Sequence, residues 1–377
     1  MIDRSLAQRV ATDLQRKMVF VTGPRQAGKT TLARMLMQKF DRPEYLNWDI
    51  STDRATLLRQ SWNPRADLLV FDEIHKMKDW KGFLKGVFDG RTAEQAILVT
   101  GSARLDTFRQ SGESLAGRYF SHRLHPLSVA EMVATGQWTA DDAIERLLAR
   151  GGFPEPCLAV EAADAVRWRS QYLTDLVRED VLDVSRIREV HSMRLLVDLL
   201  RERVGSPVSI ASLGRDLQLA PATVRRYIEI LEALYVVFLV TPYHRNVARS
   251  VLKEPKIFFF DVGTVADDSG ARFENLVACA LLKHVHHRQD SQGEPASLHY
   301  TRTTDGSEVD FVICLDGVPQ QFIECKLAGD RLSRFLTRMA ESYPDAQAVQ
   351  VVRDARRDEW RGRVEVRQAA PWLAGLT

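Results

Sequence analysis

A glycine-rich loop lies between an apolar run and a helical pattern in the first forty residues of this chain. Residues 19–22 read Val-Phe-Val-Thr, residues 23–30 read GPRQAGKT, and the helical pattern TLARMLMQKF follows directly. Glycines allow backbone N–H groups to approach phosphate oxygens, and the helix that follows adds the positive end of its dipole. The sequence therefore predicts a strand, a phosphate-binding P-loop and a helix, with ATP as the ligand.

Two residues of this loop have predicted chemical roles. Lys29 is expected to reach the β and γ phosphates and to act in catalysis. Thr30 is expected to hold Mg²⁺ through its hydroxyl, because this small hard ion prefers oxygen ligands. A glycine turn beside a solvated lysine is the alternative, and the flanking strand and helix argue against it.

Two further apolar runs end in polar residues that complete the predicted ATP site. Residues 68–71 lead into Asp72 and Glu73, where Asp72 would assist the Mg²⁺ shell and Glu73 would orient and deprotonate the attacking water. Residues 97–99 lead into Thr100-Gly101-Ser102, where a hydroxyl can sense the γ-phosphate. The predicted nucleotide-binding residues are Gly23, Pro24, Arg25, Gln26, Ala27, Gly28, Lys29, Thr30, Thr31, Asp72 and Ser102.

The middle of the chain has helical patterns. We expect the ATPase core to span residues 1–128, a helical lid residues 129–205, and a winged helix-turn-helix residues 206–252. The second helix of that motif carries, near its start, Thr223, Arg225, Arg226 and Tyr227. Side chains at this place can contact DNA, and modules of this kind also serve in protein packing alone.

The predicted C-terminal domain, residues 253–377, contains charged side chains within apolar strands. Asp310 lies in one strand, and Glu324 and Lys326 lie in another beyond the hairpin signal Asp316-Gly317. Buried carboxylates are costly unless they pair or bind metal. Asp310 and Glu324 can hold a divalent ion, Lys326 can orient water, and Glu274 from a helix can complete the shell. An ion pair across an exposed sheet face is the simpler alternative.

The strand register decides whether those residues share a face. Glu324 and Lys326 do so because side chains alternate with period two. A three-residue loop at residues 316–318 places Asp310 opposite Glu324, whereas a two-residue turn puts Asp310 on the other face. The sequence leaves both open.

Net charge, cysteine spacing and hydropathy indicate the broad class of protein. The formal net charge of +2 over 377 residues does not by itself predict a nucleic-acid or membrane partner. The cysteines show no metal-binding spacing, and no apolar stretch is long enough to span a bilayer. We expect a cytoplasmic protein without a membrane partner.

Taken together, the motifs resemble a widespread bacterial and archaeal family of AAA-type ATP-binding proteins with a C-terminal domain of unknown function. The resemblance rests on GPRQAGKT, LVFDEIHK, LVTGSA, LAGR followed by LHPLS, GGFPEP, FFFDVG, FENLV, and EVDFVI paired with FIECK. It implies an α/β fold with an AAA core, a helical and winged-helix middle, and a C-terminal fold similar to PD-(D/E)xK nucleases. Glu274, Asp310, Glu324 and Lys326 match the nuclease-type positions.

The resemblance also implies self-association. In AAA assemblies an arginine at the place of Arg118 often reaches the γ-phosphate of a neighbouring subunit, and such a group can accelerate hydrolysis about a thousandfold or more. Arg118 is therefore the arginine-finger candidate, with Arg123 in reserve. A surface ion pair is the equally weighted alternative for Arg118.

Two functional hypotheses follow from these residues. The first is an oligomeric, Mg²⁺-dependent ATPase that acts on DNA beside a metal-dependent nuclease-like domain. The second is a nucleotide-controlled switch, or a regulator, whose C-terminal domain binds DNA or a protein without cleaving. Cleavage that depends on Lys326 and Asp310 separates the two.

Overall fold

The structure is a computed structural model that describes residues 2–101, 115–181, 187–244, 254–329 and 331–376. The chain divides into two compact units, residues 1–126 and residues 127–377.

The first unit is built on a five-stranded parallel sheet. Its elements are α1 (Ala7–Leu14), β1 (Met18–Thr22), α2 (Lys29–Met37), β2 (Pro43–Asn47), α3 (Ser51–Arg59), β3 (Leu68–Asp72), α4 (Trp80–Gly90), β4 (Ala96–Thr100) and β5 (Tyr119–Arg123). The strand order is β2-β3-β4-β1-β5, and every neighbouring pair is parallel.

Apolar side chains on both faces explain why this sheet forms. Met18 and Phe20 of β1 pack into one core, and Val19 and Val21 pack into the other. Because both faces are covered, the central strands consist of apolar runs that are buried at every position. The carboxyl ends of β1, β3 and β4 meet at one edge, where Thr100 pairs with both Val21 and Asp72. This is the edge at which open parallel sheets bind ligands.

The second unit contains helices and a mixed sheet. Its helices are α5 (Val129–Val133), α6 (Ala140–Arg150), α7 (Pro154–Leu158), α8 (Ala162–Val181), α9 (Ile187–Arg201), α10 (Ile210–Leu217), α11 (Pro221–Ala233), α12 (Ser269–His287), α13 (Arg334–Ser342) and α14 (Ala369–Ala374). Its strands are β6 (Val237–Pro242), β7 (Lys256–Phe259), β8 (Ala296–Arg302), β9 (Glu308–Leu315), β10 (Val318–Lys326), β11 (Gln347–Val352), β12 (Glu359–Arg361) and β13 (Val364–Gln368).

The eight strands form one sheet in the order β12-β13-β11-β10-β9-β8-β6-β7. The boundary predicted between residues 252 and 253 falls inside this sheet, because β6 pairs with both β7 and β8. The predicted α/β class is confirmed as a parallel P-loop-type sheet in the first unit and a mixed-sheet domain in the second.

Helices α10 and α11 are joined by a short turn. Gln218 follows α10 in the left-handed conformation, with φ of 54°, and α11 begins at Pro221. The antiparallel pair β6–β7 comes next, and Pro207 forms an antiparallel bridge with Lys256. Two helices followed by a strand, β6, is the order that the sequence predicts for residues 206–252. The partner strand β7 begins at Lys256, beyond that predicted range.

The β9–β10 hairpin combines the two registers that the sequence left open. Its turn has two residues, since Leu315 pairs with Val318. A bulge between Pro319 and Gln321 then shifts the pairing by one residue, so that Phe311 lies opposite Ile323. Asp310 and Glu324 are each one residue further from the turn than this last pair, and their side chains therefore lie on the same face of the sheet.

Within the described ranges no helix is long and apolar enough to cross a membrane.

Candidate functional site

The predicted phosphate-binding loop lies at the carboxyl end of β1. Gly23 has φ of 140°, and a Cβ atom there would lie 2.3 Å from the carbonyl oxygen of Leu124, the residue that follows β5. Only glycine fits so close an approach of two backbones. Gly28, also left-handed with φ of 99°, precedes α2. The loop therefore leads directly into the N-terminus of α2, where backbone N–H groups favour an anion.

Lys29 is held inside this loop. Its Nζ atom donates hydrogen bonds to the carbonyl oxygens of Gly23 at 3.0 Å and Pro24 at 2.6 Å, and the residue is buried. A buried ammonium in a phosphate-sized loop supplies the positive charge that a triphosphate requires.

Asp72 joins three elements of the sheet edge. Its Oδ2 atom accepts hydrogen bonds from Thr30 Oγ1 at 3.0 Å and from the Tyr45 hydroxyl, and its Oδ1 atom accepts from Thr100 Oγ1 at 2.6 Å. The predicted pair Thr30 and Asp72 is thus brought together. Tyr45 and Thr100 complete the group, and the sequence analysis gave Tyr45 no role.

Glu73 follows directly, in the left-handed conformation with φ of 55°. Its carboxylate lies 3.2 Å from Lys76 Nζ and 3.7 Å from His75 Nε2. Burial raises the pKa of Glu73, and the charge of Lys76 opposes that rise. The carboxyl of Glu73 thus lies at the carboxyl edge of β3, where the sequence predicts a general base, and that role stays a prediction.

The other predicted nucleotide-binding residues occupy the same loop. Pro24 and Ala27 are buried, Arg25 is partly buried, and Gln26 and Thr31 are exposed. Ser102 lies outside the described residues, so its predicted contact with the γ-phosphate stays a prediction.

These residues fit Mg²⁺ and ATP by the chemistry of their donors. Thr30 and Asp72 present a hydroxyl and a carboxylate oxygen 3.0 Å apart, and Mg²⁺ in proteins commonly takes one or two such ligands with phosphates and water. Thr30 and Asp72 would hold the ion, and Lys29 would hold the phosphates.

The two arginine-finger candidates lie at opposite ends of β5. Arg118 precedes the strand, beside Met18 at the beginning of β1, and forms a two-pronged ion pair with Asp89 at 2.8 and 3.0 Å. Arg123 ends the strand opposite Thr22, next to the phosphate-binding loop. Arg118 therefore lies away from the nucleotide edge of its own sheet.

Arg4 is a member of this region that the sequence analysis missed. Its guanidinium donates to the carbonyl oxygen of Ala27 at 2.7 Å and to that of His125, and the residue is buried. An arginine ahead of a short amphipathic helix gives no local signal of such a role.

In the second unit, six charged residues form what we call the acid–lysine cluster. They are Lys256, Glu274, Glu308, Asp310, Glu324 and Lys326. Asp310 Oδ2 accepts a hydrogen bond from the backbone N–H of Cys325 at 2.7 Å, and Lys326 Nζ lies 2.7 Å from Glu324 Oε1. The structure therefore brings the four predicted residues Glu274, Asp310, Glu324 and Lys326 to one region.

Lys256 lies at the centre of the cluster and was missed by the sequence analysis. Its fully buried Nζ atom contacts Glu274 at 2.9 Å, Asp310 at 3.8 Å and Glu308. Glu308 was missed as well. The available signal was a lysine at the head of the apolar run 257–260, since a buried lysine needs carboxylate partners.

Burial dominates the electrostatics of the cluster. It raises the pKa of Glu274 to about 8 and that of Glu324 to about 7, and repulsion from Asp310 adds to both. The carboxylates around Lys256 raise the pKa of that lysine against the opposing effect of burial. Two of the four acids thus tend to carry protons near neutral pH.

The cluster meets part of the requirement for a metal site. Glu324 Oε2 is buried without a hydrogen-bond partner in the described part of the chain, and the register of β9 and β10 puts Asp310 on the same face. Among the described residues, however, no group of three or more His, Cys, Asp or Glu side chains has a geometry that could hold a metal ion. A cation here would have two carboxylate ligands and would take its other ligands from water or phosphate, as Mg²⁺ often does.

Three family models match successive parts of the chain. Residues 15–133 match the AAA domain, residues 141–272 match a domain of unknown function (DUF8612), and residues 269–372 match another domain of unknown function (DUF4143). The chain therefore carries an AAA-type ATPase domain followed by two domains without an assigned function.

Similar proteins occur in a bacterium and an archaeon. An uncharacterized protein of Mycobacterium tuberculosis is 29% identical over 373 residues, covering 90% of this chain and 80% of the relative. An uncharacterized protein of Methanocaldococcus jannaschii is 22% identical over 329 residues, covering 79% and 72%. Among solved structures, a Walker-type ATPase of Pyrococcus abyssi aligns at 13% identity with a TM-score of 0.43, covering 63% of this chain and 91% of that one.

Proposed function

We propose that this chain hydrolyses ATP with Mg²⁺ and uses the energy to act on DNA. The observation that carries the proposal is the Thr30–Asp72 hydrogen bond at the edge where Lys29 is enclosed by the glycine loop. Bound Mg²⁺ neutralises charge on the transferring phosphoryl group. Water attacks the γ-phosphorus, the bond to the β–γ bridging oxygen breaks, and Glu73 accepts the proton of the water.

The proposed DNA contact lies on α11. Arg225 and Arg226 are exposed in its first turns, and in the described ranges no carboxylate lies within ion-pair distance of either. Two unpaired guanidinium groups beside the partly exposed Thr223 suit the phosphate backbone of DNA, and a second helix of this type can also enter the major groove.

Metal-dependent DNA cleavage at the acid–lysine cluster is the second candidate function. The observation that favours it is the bulge that places Asp310 and Glu324 on one face, beside Lys326. Fold and residue type alone do not establish this chemistry. The rival hypothesis is a nucleotide-controlled switch, in which the ion pairs of Lys256 hold the cluster together and no strand is cut.

One assay tests the ATPase and the nuclease together. ATP turnover and strand cleavage would be measured with Mg²⁺ or Mn²⁺ on duplex, single-stranded and branched DNA. We expect turnover to fall by about 100-fold or more in Lys29→Ala, because that variant lacks the positive charge that would stabilise the phosphoryl group in the transition state. Lys39→Ala, at an exposed site just beyond α2, is the matched control with unchanged turnover.

Two further variants test strand cleavage in the same assay. Loss of cutting in Lys326→Ala and Asp310→Asn, with ATP turnover retained, would establish the nuclease. Turnover without cutting on any of these substrates would refute it and favour the switch. Absence of turnover in the folded wild-type protein would refute the ATPase.

A further inference from the structure

A cavity of about 550 Å³ lies within the second unit. We call it the arginine pocket. Residues that line it and carry the argument are Phe153, Arg169, Tyr172, Arg194, Arg201 and Asp261. Its volume lies in the range of sites that enclose small molecules, about 300–1,000 Å³. The cavity is distinct from the sheet edge of the first unit and from the acid–lysine cluster.

Two motifs far apart in sequence build one wall of this pocket. GGFPEP begins at Gly151, and FFFDVG ends at Gly263. A Cβ atom at Gly151 would lie 1.7 Å from Asp261 Oδ1, and one at Gly263 would lie 2.1 Å from Arg169 Nη2. Each glycine therefore allows one member of the Arg169–Asp261 ion pair, 2.8 Å apart, to press against the backbone.

The wall holds more positive charge than its own carboxylates neutralise. Four arginines and two aspartates line the pocket. Arg169 uses Nε for Asp261, and its buried Nη2 atom has no hydrogen-bond partner among the described residues. A buried donor left unpaired costs free energy, so a ligand that accepts a hydrogen bond from Nη2 gains that energy on binding.

Arg194 supplies a second available cation. Its Nη2 atom donates to Thr174 Oγ1 at 2.6 Å, and in the described ranges no carboxylate lies within ion-pair distance of it. A guanidinium with one neutral partner keeps donors for a bidentate contact with an oxyanion.

Aromatic rings supply the apolar side of the pocket. Tyr172 lines the pocket and is partly exposed, and the buried rings of Phe153 and Trp168 support it at centroid distances of 5.2 and 4.5 Å. Flat rings beside guanidinium groups are the features with which proteins hold a nucleobase next to its phosphate.

We propose that the arginine pocket binds a nucleoside monophosphate, with the phosphate at Arg169 and Arg194 and the base against the aromatic wall. The volume suits a small molecule rather than a folded macromolecule, and the surplus of arginines favours a ligand that carries negative charge. This site does not depend on ATP hydrolysis in the first unit.

Calorimetric titration of the full chain with AMP, GMP, CMP and UMP tests the proposal. We expect at least one of them to saturate one site per chain. Arg194→Gln should weaken that binding about tenfold or more, because it removes a charge-assisted contact while keeping a donor for Thr174. Ser170→Trp, at an exposed position of the lining, should block the site without changing charge.

Two controls separate this site from the others. Arg367→Gln removes an arginine that pairs with Asp358 at the surface, and it should leave binding unchanged. Lys29→Ala should also leave it unchanged, which distinguishes the pocket from the phosphate-binding loop. Absence of saturation by all four nucleotides up to about 1 mM would overturn the proposal. Equal binding by wild type, Arg194→Gln and Ser170→Trp, with all three folded by circular dichroism, would also overturn it.

Discussion

Asp72 shows how a single residue organises the ATP site, because hydroxyls from three separate elements converge on its carboxylate. Thr30 comes from α2, Tyr45 from β2 and Thr100 from β4. The apolar run before Asp72 predicted a carboxylate at this edge of the sheet, and the sequence predicted that Thr30 and Asp72 serve the same Mg²⁺ ion. Tyr45 could not be predicted, since its contact depends on β2 lying beside β3, a pairing that the sequence alone does not reveal.

Removing the Tyr45 hydroxyl tests this organisation. Tyr45→Phe deletes one of the three hydrogen bonds to Asp72 and keeps the aromatic ring. We expect the Mg²⁺ concentration for half-maximal ATP turnover to rise several-fold, up to about tenfold, as loss of about 1 kcal/mol implies. Tyr119→Phe, at the edge of the same sheet, is the control. An unchanged Mg²⁺ dependence would show that Tyr45 does not position Asp72.

Glu324 carries a prediction about pH. Its pKa is about 7 in the folded chain, mainly because it is buried, against 4.5 as its ordinary value. The folded state therefore binds the proton more tightly, and the stability that this provides is complete below pH 4.5 and lost as the pH rises through 7. Glu324→Gln should remove this loss of stability. Between pH 5 and pH 8 its free energy of unfolding should therefore rise by about 1–3 kcal/mol relative to that of wild type.

Urea unfolding of both proteins at several pH values measures the difference. Glu341→Gln, at an exposed position on α13, is the matched control with the wild-type pH slope. Parallel stability curves for wild type and Glu324→Gln would contradict the burial of an acid with a raised pKa.

At the level of elements, apolar runs predicted the strands that position the sites. The runs at residues 68–71 and 97–99 correspond to β3 and β4, and the two helices of the motif predicted at residues 206–252 correspond to α10 and α11. The register of β9 and β10 was not predictable. The two-residue turn sets one register, and a bulge then shifts the pairing by one residue without leaving a distinctive signal in the sequence. Strands β11–β13 were likewise not identified from the sequence.

Helix α11 carries the prediction about DNA. Replacing both Arg225 and Arg226 with alanine should weaken binding to duplex DNA and lower the slope of log K against log salt by about 2, roughly one unit per phosphate contact. The exposed pair Arg356 and Arg357 offers a control with the same change in charge. Equal affinity and equal salt slope in the two double variants would exclude α11 as the DNA contact.

On the scale of the whole molecule, the position of Arg118 requires a partner if it is to act in hydrolysis. It lies at the edge where β1 and β5 begin, whereas Lys29 follows the end of β1. Arg118 can therefore assist only the ATP site of another copy of this chain. Its ion pair with Asp89 would then exchange for the γ-phosphate of that copy.

Mixing two inactive variants tests this arrangement. Lys29→Ala lacks a working ATP site but keeps Arg118, and Arg118→Ala has the reverse defect. We expect each alone to be slow, and an equimolar mixture to recover about a quarter of wild-type turnover or more, because mixed interfaces unite an intact site with an intact finger. No recovery, or wild-type turnover by Arg118→Ala alone, would exclude Arg118 as a finger that acts between subunits.

We propose that ATP hydrolysis in the first unit is coupled to DNA. The most direct measurement is ATP turnover against DNA concentration for wild type, Lys29→Ala and the Arg225→Ala, Arg226→Ala double variant. We predict that DNA stimulates the wild-type protein, that Lys29→Ala is inactive throughout, and that the double variant keeps its basal rate but loses the stimulation. Turnover in wild type that is independent of DNA would refute the coupling, and equal stimulation of the double variant would refute the DNA contact on α11.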